Sequence, residues 1–432
     1  MRLFSLKAPN NSLPTDPGSN EPYKNSSFDP GIVRKRLIMI LLISSLQLVS
    51  MVIMRQNAPL YLQSIDASEF FVGIVVSAFA FIPLLICVPG GILMDRIGYR
   101  KIIAFGAGSM IVSSLILMIL PPPGIVVLTQ LLAGLSNILV ILAAQAYVSN
   151  MDHPVNRTRN FALWSLAFGF GLLAGPPIAG ILADLWGFRA AFFGAAIVSA
   201  LVLLVNTRLA EVAPGYRESL NWQGLTGLMR RELPQVSRVS RDLIQKPLVQ
   251  LAIGISVVVL FVITLRMSFY LVYLEQVGFS STRIGVLVAT QEGFALLFRP
   301  FLAPMIHRIG ALPLMIGSLI LGGIGIGSVA FLQDFTPLFI AAMLTGITPA
   351  FTQPISMILT AQSAPDDIQG TAMGLRQMAN QAPLFVGPLF FGAVSALFGL
   401  HQVFLVAAVM LFISAGFLFL MRHYLVEAYS IF

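Results

Sequence analysis

What this chain lacks most is charge. Of its 432 residues only 10% are charged, while 57% are hydrophobic. A soluble chain of this size carries about 25% charged residues, so a soluble globular protein is excluded. Cysteine is almost missing too. Cys87 stands alone in an apolar run, forms no internal disulfide and says nothing about redox compartment. There is no Walker-type phosphate loop, no Cys-x-x-Cys and no zinc-helix motif. ATP hydrolysis as an energy source therefore has no support in the sequence, and neither an enzyme, a metal site nor a cofactor is expected. An apolar signal core is also absent, because residues 1–33 are polar and rich in Pro, Asn and Ser.

What is present is a series of apolar runs of membrane-span length, about 20 residues each. Backbone polar groups in lipid must pair internally, so these runs read as helices. The fold class expected is an all-α polytopic membrane protein with twelve transmembrane helices. The runs lie at about 37–62, 70–93, 102–120, 125–149, 160–183 and 190–208. After a break they resume at about 248–274, 284–304, 312–332, 337–361, 370–397 and 401–421. Residues 1–36 read as a disordered cytoplasmic tail and 422–432 as a second cytoplasmic tail. Between the halves 37–208 and 248–421, residues 209–247 read as a cytoplasmic linker, and 225–244 as an amphipathic surface helix interrupted at Pro234. The net charge of +8 sits in loops. Expected outer turns hold only Arg189 and Arg283 as bases, and the other bases outside helices gather on the other side, which puts both termini in the cytoplasm.

The turn between helices 2 and 3 reads Gly91-Ile92-Leu93-Met94-Asp95-Arg96-Ile97-Gly98-Tyr99-Arg100-Lys101. So much charge in so short a turn implies a constrained structure. Asp95 and Arg96 can pair with neighbouring helix ends, and the glycines permit close approach and tight turning. The stretch resembles the G-x-x-x-D-R-x-G-x-R-K signature of the major facilitator superfamily, matched at Gly91, Asp95, Arg96, Gly98, Arg100 and Lys101. The resemblance implies a conformational latch here and alternating access by rocking of two six-helix halves.

An internal repeat at an offset of 212 residues agrees with that architecture. Tyr61 maps to Tyr273, Gly73 to Gly285, Arg96 to Arg308, Gly98 to Gly310, Gly134 to Gly346, Gly175-Pro176 to Gly387-Pro388 and Gly187 to Gly399. As in the superfamily, two like halves would then enclose a site near the midplane. The second copy of the turn, His307-Arg308-Ile309-Gly310, has lost the aspartate.

Helix 5 carries Gly171, Gly175, Pro176 and Gly180, a small-residue face for close packing with a proline bend. This run resembles the G-x-x-x-G-P-x-x-x-G motif of exporters that work by antiport, which implies an efflux-type branch. Ala179 stands where the pattern usually has a glycine, and Gln130 where proton-coupled exporters usually carry arginine.

Ionisable residues inside membrane helices are costly, so each is a candidate for function. Arg55 and Arg266 fall at matching depths in helices 1 and 7, at an offset of 211. Facing one cavity they would clamp an anionic group, and a similar pairing occurs in superfamily members that exchange organophosphates for phosphate. Otherwise each pairs locally or snorkels. Glu292 is the one carboxylate well inside a helix, and is either a proton carrier or an ion-pair partner of Arg266 or Arg299. Arg376 and Asn380 stripe helix 11. Asn57, Tyr61, Asn137, Gln145, Tyr270 and Gln353 complete the expected cavity lining.

Four intramembrane arginines against one glutamate favour an organic anion or zwitterion. The expectation is a secondary transporter moving such a solute outward across the plasma membrane (the inner membrane, in a bacterium). It would work as a monomer, with a coupling proton or counter-anion, lipid as its surroundings and no nucleic acid. The alternatives are a proton-coupled multidrug exporter using Glu292, and a non-transporting receptor or lipid-binding scaffold. The last has no need to bury Arg266 and Glu292.

Overall fold

The computed structural model describes residues 30–119, 122–151, 156–210, 245–362 and 369–422. The amphipathic stretch expected at 225–244 and most of both expected tails lie outside the described residues. Eleven of the described helices are long and apolar enough to cross a membrane. One of them, Arg159–Arg208, has 50 residues, more than twice what a single crossing needs. It is two crossings, because Gly187 breaks the helix at φ 79, ψ 172. The described chain therefore crosses twelve times.

The crossings are α1 (Pro30–Ser64), α2 (Glu69–Ile97), α3 (Tyr99–Met118), α4 (Pro123–Asn150), α5 (157–186) and α6 (188–208). They continue as α7 (Pro247–Gln276), α8 (Ser281–Ile309), α9 (Ala311–Phe331), α10 (Phe335–Gln362), α11 (Gln369–Phe398) and α12 (Leu400–Leu420). α1 begins at Pro30, so residues 30–36, expected in the tail, are helical. Proline suits a first helical turn, where its missing N–H has no partner to lose. α7 is interrupted at Met267–Ser268, and Ser268 sits at φ −131, ψ −82. α8 passes through a 3-10 turn at Arg299–Phe301.

The repeat is visible in the backbone. Among the described residues, those with positive φ fall into three pairs 212 apart: Asp66 with Gly278, Gly98 with Gly310, and Gly187 with Gly399. Each ends one crossing and turns the chain into the next. Glycine adopts this region without strain, and aspartate is among the few other residues that tolerate it.

Side-chain packing repeats as well. Tyr61 meets Phe192 edge-on at 6.4 Å between ring centroids, and Tyr273 meets Phe404 at 5.1 Å. Both members shift by 212. The same holds where backbones touch. A Cβ on Gly134 would overlap the carbonyl oxygen of Phe79, and one on Gly346 would overlap that of Gln291. These contacts lock α4 to α2 and α10 to α8 within each half.

Between the halves, a Cβ on Gly285 would overlap the carbonyl oxygen of Pro176, and one at Gly73 would crowd that of Pro388. α5 therefore packs on α8, and α2 on α11. Without a hydrophobic drive between helices in lipid, such close small-residue contact is what holds them together.

An added methyl at Gly134 or Gly346 should cost about 1–3 kcal/mol by overpacking. Gly254 faces open space and serves as the control. Thermal unfolding in detergent should show Gly134→Ala and Gly346→Ala melting lower, and Gly254→Ala unchanged or higher.

Candidate functional site

At the seam of the halves lies a cavity bounded by four helices. α1 contributes Met51, Val52, Arg55 and Gln56, and α5 contributes Leu172 and Pro176. α7 adds Arg266, Met267 and Leu271, and α8 adds Val288 and Glu292. Its free volume is about 50 Å³, room for a water or two. Sites for drug-sized ligands run to several hundred Å³, so the walls stand close together in this state.

Arg266 and Glu292 form an ion pair, Nη2 to Oε1 at 2.9 Å. Arg266 is 4% exposed. It ends the first piece of α7, where the free carbonyls of a helix C-terminus favour a cation. Its Nε finds no partner among the described residues, and it borders a second, water-sized void beside Thr345 and Thr348.

Arg55 is held differently. Its guanidinium lies over the Phe79 ring, 4.5 Å from the centroid, and no carboxylate among the described residues lies within ion-pair distance. Phe79 is the residue whose carbonyl is pressed against Gly134, so the aromatic platform is fixed by backbone contact. The two arginines of the expected clamp thus reach one cavity, one neutralised by Glu292 and one resting on a ring face.

Other expected residues turn elsewhere. Asn57 is fully buried and donates to the carbonyls of Ile53 and Ala179, 3.0 and 3.3 Å away, stitching α1 to α5. Tyr61 packs against Phe188 and Phe192. Helix arithmetic explains both. At about 100° per residue, Asn57 and Tyr61 point well away from Arg55, whereas Met51, Val52 and Gln56 lie beside it.

Gln56 was missed. It donates to the Pro176 carbonyl at 3.2 Å, and its place next to Arg55 was the available signal. Tyr270 would share the face of Arg266 on an unbroken helix, but the interruption at 267–268 removes that register. Tyr270 is fully buried and edge-on to Phe404, 6.5 Å away. Asn137 and Gln145 are half-buried on α4, outside the cavity wall.

Gln353, Arg376 and Asn380 do come together, in a separate cluster inside the second half. Arg376 donates from Nη2 to the Gln353 Oε1 at 2.9 Å and from Nε to the Ser356 hydroxyl at 3.2 Å. The Ser256 hydroxyl, within 2.8 Å of Asn380 Oδ1 and 3.1 Å of Gln353 Oε1, joins α7 to the cluster. Ser256 and Ser356 carried no sequence signal of their own. Ser256 lies ten residues before Arg266, about 15 Å along the helix.

Of the expected latch, the side chains of Gly91, Asp95 and Arg96 lie outside the described residues. Gly98 makes the turn at φ 94. Arg100 donates to the Thr207 carbonyl at 3.0 Å, and Asn206 donates back to the Arg100 carbonyl at 2.9 Å, so the turn is tied to the end of α6.

The α5 motif works on two faces. Added Cβ atoms would stand 2.8 Å from Leu48 Cβ at Gly171 and 2.8 Å from Val52 Cβ at Gly175, both on α1. Pro176 and Gly180 press on α8 across the seam. No group of three or more potential metal ligands gathers among the described residues.

Two repeated helical halves, with a charged cavity at their seam and an interrupted helix beside it, define a membrane transporter built by duplication. The Major Facilitator Superfamily model matches residues 37–273 and 251–428. The chain belongs to the major facilitator superfamily, and it is a transporter-family protein, not an enzyme.

Among its relatives, an uncharacterized MFS-type transporter of Methanocaldococcus jannaschii is 24% identical over 359 residues, 81% of this chain and 88% of that protein. The quinolone resistance protein NorA of Staphylococcus aureus is 22% identical over 350 residues, 79% and 84% of the two chains. The fold resembles a bacterial homologue of the human lysosomal transporter Spinster, solved inward-facing and unoccupied. There the TM-score is 0.77 and identity 17%, over 92% of this chain and 98% of that one. The nucleoside transporter NupG gives a TM-score of 0.72 at 14% identity, covering 90% and 99%.

Removing one partner of the buried pair strands the other, at a cost of about 3–5 kcal/mol, while replacing both with apolar residues is often neutral. Glu292→Leu should melt well below the wild type in detergent. Arg266→Met combined with Glu292→Leu should recover most of the loss.

Proposed function

We propose that this transporter exports a small organic anion or zwitterion by alternating access, with Arg55 and Arg266 as its anion-binding residues. The observation that carries the reading is that both arginines line one cavity between the halves while a single carboxylate faces them. The cavity has a surplus positive charge, and a solute bringing a carboxylate or phosphate would meet it. A carboxylate on Arg55 would exchange a ring-face contact for a charged hydrogen bond, the stronger interaction. Outward transport is supported by the α5 motif and by relatives named for drug resistance. In this reading the face carrying Gly98 and Gly310 is cytoplasmic, as the loop bases indicate.

A second reading follows from the place of Glu292. It lines the same cavity and pairs there with Arg266. A cationic substrate could compete for it and couple export to protons.

The two readings separate in reconstituted vesicles. Arg55→Gln should weaken binding of an anionic solute about 10- to 100-fold, the range for a lost charged hydrogen bond, while leaving the melting temperature near wild type. Equal affinities in wild type and Arg55→Gln, measured by calorimetry, reject the clamp. Proton release on adding a cationic drug, absent in Glu292→Gln, would establish the second reading instead.

A further inference from the structure

At the face formed by the turns at Asp66, Gly187, Gly278 and Gly399 two carboxylates bridge the halves. Glu69, in the first turn of α2, accepts from the Ser395 hydroxyl of α11. Asp184, near the end of α5, accepts from the backbone N–H of Ser281 at 2.8 Å and of Thr282 at 2.7 Å. Both acids belong to the first half and every donor to the second.

The repeat shows why Asp184 matters. α2 and α8 are repeat-related, and Glu69 corresponds to Ser281. α2 carries its own acid in its first turn, where the free N–H groups favour negative charge. α8 has no acid there and opens with Ser281, Thr282 and Arg283. A helix start leaves four N–H groups to be satisfied. In α8 that of Arg283 goes to the Ser280 hydroxyl, and Ile284 makes the first intrahelical bond, to the Ser280 carbonyl. Those of Ser281 and Thr282 are taken by Asp184 from the other half.

We propose that Asp184 is a positioning residue for transport: it completes the N-terminal cap of α8 across the seam and so holds this face shut. α8 is also the helix that carries Glu292 into the cavity, so the same cap sets how deep that carboxylate sits. Rocking open at this face must pull Asp184 off both N–H groups, whereas opening at the opposite face leaves the cap intact. Within either half alone, α8 lacks the acid that its counterpart α2 has. The device therefore acts between the halves, and its action is independent of which solute is carried.

The test uses the full chain in vesicles with Cys87→Ser, spin-labelled at Arg189→Cys and Gln276→Cys, two exposed positions on this face in different halves. Distances are read by double electron–electron resonance. Asp184→Asn should raise the ratio of long (open) to short (closed) distances about 5- to 30-fold, the range for a lost cap. A second variant separates latching from mere helix capping. Ser281→Glu added to Asp184→Asn gives α8 the acid that α2 carries, so it should restore the melting temperature while leaving the long-distance population raised. An unchanged ratio in Asp184→Asn would overturn the proposal, and so would a return to the wild-type ratio when Ser281→Glu is added.

Discussion

The two halves meet backbone to backbone, at Gly285 against the Pro176 carbonyl and at Gly73 against that of Pro388. Those contacts set how α5 sits on α8 and α2 on α11 across the seam. Helices in lipid gain little by hiding apolar surface from one another, so they hold by close van der Waals contact and polar links. A side chain at either glycine would push the halves apart, open the seam and separate Arg55 from Arg266. The contacts are also symmetric under the 212-residue repeat, so the seam can serve as a pivot.

Against that symmetric frame the charges are deliberately unequal. Strict repetition would set Arg55 opposite Met267, and Arg266 opposite Met54. The arginines are one residue out of register, and the chain deals with them differently. Arg266, buried at the end of the first piece of α7, is neutralised by Glu292. Arg55 keeps a ring face and access to the cavity. An isolated charge in the membrane interior is expensive, and a cation on a ring is only modestly compensated. That shortfall is what an anionic solute would supply. At the other end of the seam the inequality recurs, with two carboxylates from the first half and their donors from the second.

The fold was legible because its determinants are local. Apolar runs give the crossings, and glycines at fixed spacing give the turns and the repeat. The failures at the site are physical and particular. Asn57 and Tyr61 are two and six residues from Arg55, and the rotation of a helix about its axis excludes them from its face. Tyr270 left the cavity because α7 is interrupted after Arg266, and no residue there announces a break. The polar stripe of Arg376 and Asn380 could be read from α11, yet its partners on α7 and α10 could not. The Arg266–Glu292 pair spans 26 residues and the Asp184 cap 97, so each exists only once the helices are assembled.

The central claim is that the seam cavity presents net positive charge to a solute. It is tested most directly by a thermal-shift screen of the purified protein against organic anions, zwitterions and lipophilic cations at two pH values. Binding to the folded state raises the melting temperature, by an amount that grows with the logarithm of ligand concentration over its Kd. The account predicts stabilisation by anions or zwitterions at both pH values, lost in Arg55→Gln. Stabilisation by lipophilic cations alone, undiminished in Arg55→Gln, would contradict it.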